Sequence, residues 1–156
     1  MQKMIDCCSV SNEKEKLVVC PSCKNIGKQM KIITLKSLLL PKALELLQPE
    51  TRYHFCAFSE CDVVYFNEKE QIFTKSDLKV PVYQKNDQDD TPICYCFGWT
   101  RKNVSEESEK TEKSTIVQNI SMHIKAQRCG CEMNNPQGSC CLGNVTGFIK
   151  RVKLSK

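Results

Sequence analysis

The sequence predicts an α+β protein: a small zinc-stapled, β-rich domain followed by a small helical domain with its own cysteines. Three observations predict it. Between residues 18 and 86 the apolar stretches are short, aromatic and β-branched, with cysteine pairs between them. Beyond residue 100 apolar residues recur every three or four positions, the period of a helix face. Twelve cysteines in 156 residues come close to the density at which metals or cross-links explain a short chain better than its core alone.

Residues 1–17 are polar apart from Cys7 and Cys8 and read as a flexible leader. The two thiols are either exposed groups on a tail or a capture point for a soft ion. Val18 to Cys23 is a short apolar strand running into a C-x2-C turn, which brings two sulfurs to one face of a tight loop. Lys31 to Leu40 reads as extended. Pro41 suits the first position of a helix whose Leu44 and Leu47 share a face, and Pro49 ends it.

Arg52 to Cys56 and Asp62 to Phe66 read as strands, with Cys56-x4-Cys61 at the hairpin end between them. A C-x2-C knuckle plus a cysteine pair on a hairpin is the usual build of a closed tetrahedral zinc site. Cys20, Cys23, Cys56 and Cys61 are therefore the expected Zn2+ ligands. His54 shares the strand face of Cys56, but four cysteines already fill the tetrahedron, so it is expected to be a packed or surface residue. Gln71 to Tyr83 reads as further short strands. The polar stretch from Gln84 to Thr91 marks a boundary between domains 18–86 and 87–156.

In the second half, Thr100 caps a helix whose Glu106–Lys110 and Glu109–Lys113 pairs form a solvated face. Ser114 caps another, with Ile116, Ile120 and Ile124 on its core stripe and His123 off it, at the surface. That helix is expected to end near Arg128. Asn135-Pro136-Gln137-Gly138 suits a type I turn that doubles the chain back, so that Cys131 and the Cys140-Cys141 pair approach each other. A last helix carries Val145, Phe148, Ile149 and Val152 on one stripe, with Lys150, Arg151 and Lys153 complementing its dipole.

Cys94-Tyr95-Cys96 and the run from Cys129 to Cys141 hold six cysteines, with about thirty cysteine-free residues between them. The chain must fold back to bring these thiolates together, and four-thiolate sites of this kind commonly hold [2Fe–2S] clusters. Met1 to Val10 lacks the apolar run of a secretory signal, and no stretch is apolar enough to span a membrane. The expected location is thus the reducing cytosol, where disulfides are disfavoured.

Residues 1–90 carry 13 Lys+Arg against 13 Asp+Glu, and residues 91–156 carry 10 against 5. A basic surface can mark nucleic-acid binding. Here a four-thiolate [2Fe–2S] core, formally about −2, supplies the balancing charge, so no nucleic acid is invoked.

The helical half resembles the bacterioferritin-associated-ferredoxin type of [2Fe–2S] fold, although Cys131 and Cys141 are spaced more widely than in that family. A broader resemblance covers most of the chain. CPSC, FCAFSECDVVYF, CYCFGWT and CGCEMNNPQGSCCLGNV occur in the order found in the N-terminal region of CopZ-type copper chaperones. The resemblance implies a zinc half joined to a [2Fe–2S] half, with Cys94, Cys96, Cys131 and either Cys140 or Cys141 on the cluster. Cys141 is preferred because it lies nearer the start of the last helix. The full chaperones continue into a heavy-metal-associated domain with its own C-x2-C, which has no counterpart in these 156 residues.

Cys7, Cys8, Cys129 and Cys140 remain as free thiols or as transient ligands for Cu+. The implied function is one-electron transfer linked to copper handling, with reduction of Cu(II) to Cu(I). An electron donor or a copper-handling protein is the implied partner. The alternative is a zinc-ribbon-like module that binds protein or nucleic acid and has no redox role. An enzyme with a cysteine nucleophile is disfavoured, because no recognisable motif pairs a cysteine with either histidine. No glycine-rich phosphate loop is present either.

Overall fold

The computed structural model describes residues 17–110 and 115–154. Cys7, Cys8, Lys113 and Ser114 lie outside the described residues. In the first half, strands β1 (Lys28–Gln29), β2 (Tyr53–Phe55), β3 (Val63–Asn67) and β4 (Ile72–Thr74) form an antiparallel sheet in sequence order. Two short helices, α1 (Ile32–Leu38) and α2 (Pro41–Leu44), connect β1 to β2. Pro41 occupies the helix start, as its fixed φ and missing N–H favour.

The stretch from Lys31 to Leu40 was expected to be extended and is instead mostly α1. Its β-branched residues favour a strand, but burial decides. Leu35 and Leu38, one helical turn apart, are both buried, and the Thr34 hydroxyl is taken by the Glu132 carbonyl at 2.5 Å. The helix expected after Pro41 is only four residues long, with Leu47 packed on the core beyond its end. Gln71 to Tyr83 supplies one strand, β4, and then a 3₁₀ turn at Lys75–Asp77.

All five residues of β3 are buried, so the sheet is covered on both faces. A register shift between Val63 and Tyr65 breaks the usual alternation. Val64 and Tyr65 consequently join the main core with Leu35, Leu39, Tyr53, Phe55 and Phe73, while Val63 and Phe66 turn to the cysteine side. Gly27 is required there. A Cβ on it would lie 2.3 Å from the Phe66 ring and 2.8 Å from the His54 Cβ.

In the second half, β5 (Pro92–Cys94) and β6 (Trp99–Thr100) make a small hairpin, followed by α3 (Arg101–Lys110), α4 (Ile116–Lys125), α5 (Cys131–Asn134) and α6 (Leu142–Leu154). Thr100 caps α3 as expected: its hydroxyl accepts the Asn103 N–H at 3.2 Å. Ile116, Ile120, Val145 and Ile149 are buried together in one core with Ile93 and Val104. Helix α4 stops at Lys125, a little short of the Arg128 expected.

The Asn135–Gly138 turn closes with a Gly138 N–H to Asn135 carbonyl bond of 2.7 Å. Gly138 has φ +71°, and a side chain on it would also strike the Met30 terminal methyl at 2.6 Å. The two halves pack through this turn. The Tyr65 hydroxyl donates to the Pro136 carbonyl at 2.5 Å, and Lys31 pairs with Glu132 at 2.6 Å.

Candidate metal centres

The first centre is built from two hydrogen-bonded loops. Cys20 N–H bonds the Asn25 carbonyl at 2.9 Å, Lys24 N–H bonds the Cys20 carbonyl at 2.9 Å, and Lys24 adopts φ 65°, so Cys20 and Cys23 lie in one tight knuckle. At the far end of the β2–β3 hairpin, the Cys56 N–H bonds Val64 and the Cys61 N–H bonds Phe58. Cys20 and Cys61 sulfurs lie 3.8 Å apart, Cys23 and Cys56 sulfurs 3.5 Å, and all four fall within 4.8 Å of one another. Tetrahedral zinc–thiolate bonds of about 2.3 Å put sulfurs about 3.8 Å apart, so these residues fit Zn2+ with no open position.

Protonation is divided unequally among these thiols. Burial raises Cys23, but hydrogen bonds from Asn25 and from its thiol neighbours outweigh it and bring the group down to about 6. Burial dominates at Cys56 and pushes it up to about 12. His54 is buried and stacked on Phe66 at 5.7 Å, away from any ligand role. Burial lowers its pKa, which keeps the ring neutral.

The second set hangs on turns and helix starts. Cys94 ends β5, Cys96 lies in the hairpin loop, Cys131 opens α5 and Cys141 immediately precedes α6. Cys96 and Cys131 sulfurs are 3.5 Å apart, and Cys141 is buried in one core with Cys94. The neighbouring Cys141 thiol holds Cys131 down to about 6 and Cys94 down to about 7, whereas burial lifts Cys96 to about 11. Gly130 N–H donates to the Cys96 sulfur at 3.2 Å and Asn134 Nδ2 at 3.7 Å. Among the described residues, only the first set has all its sulfurs within 4.8 Å of one another.

Cys140 is exposed and accepts the Leu142 N–H at 3.5 Å; Cys129 is half-buried. Both line a groove of about 570 Å³ shared with Cys131, Met30 and Met133. His123 is half-buried under Phe97, ring centroids 4.5 Å apart, rather than free at the surface.

Sequence reasoning missed Lys85 beside the first set and the donors Gly130 and Asn134 beside the second. A lysine in a polar stretch carries no signal that it will be buried.

Fold and site together define a small α+β zinc-binding protein with a second cysteine set in its helical half. Residues 17–79 match the CopZ zinc binding domain family. The copper chaperone CopZ of Archaeoglobus fulgidus is 32% identical over 122 residues, covering 78% of this chain and 57% of that protein. The chain therefore spans little more than half the length of that relative. The X-ray structure of the Archaeoglobus fulgidus CopZ N-terminal domain matches with a TM-score of 0.70 at 27% identity, over 84% of this chain and 97% of that domain. The chain belongs with the N-terminal, zinc-binding region of CopZ-type copper chaperones. No helix among the described residues is long and apolar enough to cross a membrane.

Proposed function

We propose that this chain is a cytosolic zinc- and [2Fe–2S]-binding protein that transfers single electrons in copper handling. In this reading residues 18–86 form the zinc unit, with Cys20, Cys23, Cys56 and Cys61 as ligands. Residues 87–156 form the cluster unit, with Cys94, Cys96, Cys131 and Cys141 as ligands. The carrying observation is the contact of Cys96 with Cys131 across 35 residues, alongside Cys94 and Cys141 buried together in the same core. The wider spread of this set suits two irons better than one ion. Gly130 N–H and Asn134 Nδ2, both aimed at the Cys96 sulfur, stabilise negative charge there.

A [2Fe–2S] cluster held by Cys94, Cys96, Cys131 and Cys141 and reduced by the electron donor would supply the one electron that converts Cu(II) to Cu(I). Cys129 and Cys140 offer soft thiols for the resulting ion, with the Met30 and Met133 thioethers along the same groove. Cys7 and Cys8 are further thiols of the type that binds soft ions. The partners are an electron donor and a copper-handling protein, in keeping with the copper chaperone relative.

Purification followed by a visible spectrum and metal analysis tests the reading. About two iron and one zinc per chain are expected. Anaerobic addition of Cu(II) to the dithionite-reduced chain is expected to abolish the reduced-cluster paramagnetic signal and yield trapped Cu(I). A colourless chain containing zinc alone would instead favour the interaction module.

A further inference from the structure

Lys85 is 8% exposed, yet it sits in the polar stretch that separates the two halves of the sequence. Its Nζ donates to the Phe58 carbonyl at 2.7 Å and the Cys61 carbonyl at 2.9 Å, and lies 3.7 Å from the Cys56 sulfur. Among the described residues it has no carboxylate partner. A buried ammonium bonded only to carbonyls and sulfur is costly unless an anion lies beside it. Four thiolates around one Zn2+ supply that anion, with a net charge of about −2.

We infer that Lys85 is the resident counter-cation of the Cys20/Cys23/Cys56/Cys61 zinc site, shielding the Cys56 thiolate from electrophiles and slowing zinc release. An N–H···S bond from a cation withdraws electron density from sulfur, so the thiolate attacks alkylating agents more slowly. The same ammonium ties the Phe58–Cys61 loop to the chain beyond β4, fixing two ligands at once. Lys85 lies outside residues 17–79, the stretch that matches the zinc binding domain family. The site is therefore completed by the segment leading to the helical half. Tyr83, in the same 3₁₀ turn, faces that half: the Arg101 guanidinium covers its ring at 4.3 Å and Arg151 donates to its hydroxyl at 2.7 Å.

This inference rests on the zinc-ligand assignment, and the experiment separates the two. The zinc-loaded full chain is compared with Lys85→Met, Lys85→Arg and the exposed control Lys79→Met. Zinc transfer to a chromophoric chelator is followed alongside N-ethylmaleimide labelling mapped by mass spectrometry. Lys85→Met is expected to transfer zinc and label Cys56 about tenfold faster. Lys85→Arg is expected to recover part of the protection, and Lys79→Met none of the acceleration. A Lys85→Met chain that binds one zinc and matches wild-type rates overturns the inference while leaving the ligand assignment intact. A wild-type chain without zinc overturns the assignment itself.

The wild-type protein gives a reading that needs no variant. A slowly exchanging Lys85 ammonium resonance is expected in the zinc-loaded chain at pH 8. A freely exchanging one would refute the shielding even if Lys85→Met did not fold.

Discussion

The two cysteine sets reach similar contact distances by different routes. Cys20 meets Cys61 across 41 residues because a knuckle and a strand pair, both hydrogen-bonded along their backbones, hold them in place. Cys96 meets Cys131 across 35 residues because the hairpin loop carrying Cys96 packs on the helical core while α5, which Cys131 opens, is held against α1 through Glu132. The first route fixes each ligand locally and closes the set to the size of one ion. The second spreads the ligands over the β5–β6 hairpin, the start of α5 and the residue before α6, so their spacing depends on how those elements pack. A rigid structural ion suits the former, and the larger group proposed above would suit the latter.

The largest way to break the comparison is to remove zinc. Cys56→Ser or strong chelation is expected to abolish zinc binding and unfold the β-rich half. Structural zinc sites contribute on the order of 10 kcal/mol of folding free energy. Loss of the near-ultraviolet signal of the buried Tyr53 and Tyr65, with helical circular dichroism retained, would check it. If the helical half unfolded in step, the two halves would be one cooperative unit.

Next in size is the contrast between vicinal cysteines. Cys141→Ser is expected to lose iron and colour while keeping one zinc per chain, whereas the exposed Cys140→Ser keeps both, as read by metal analysis. Equal iron loss in the two variants would return the choice between them to open.

Core truncations compare the halves directly. Ile120→Ala empties the centre of the helical core and is expected to cost about 2–5 kcal/mol in chemical denaturation, with zinc content unchanged. The smallest effect probes the seam. Tyr65→Phe leaves the Pro136 carbonyl without its donor and is expected to cost about 1–2 kcal/mol. A null result there would mean that the halves are held mainly by other contacts such as Lys31–Glu132.

Much of this was legible in the sequence because the signals are local. The C-x2-C and C-x4-C spacings, the aromatic strands at Tyr53 and Val63, Thr100 as a cap and the isoleucine stripe of α4 each express geometry fixed within a few residues. The stretch from Ile32 to Leu38 misled because its β-branched residues carry a strand preference that burial of Leu35 and Leu38 overrode. His123 was read as a surface residue from its helix face alone, yet Phe97 from another loop covers it.

The sequence by itself determined which residue types could ligate metal, where the β2–β3 hairpin and the late helices begin, and the chemical character of each half. Only the tertiary structure decided that Cys141 is buried in one core with Cys94 while Cys140 is exposed, and that Lys85 is drawn in beside Cys56. The reason is physical. Periodicity and spacing are set by backbone geometry over a few residues, but the direction of a side chain at a turn is set by what distant segments leave room for. Burying a charge is settled later still, by whether an opposite charge from elsewhere in the chain awaits it.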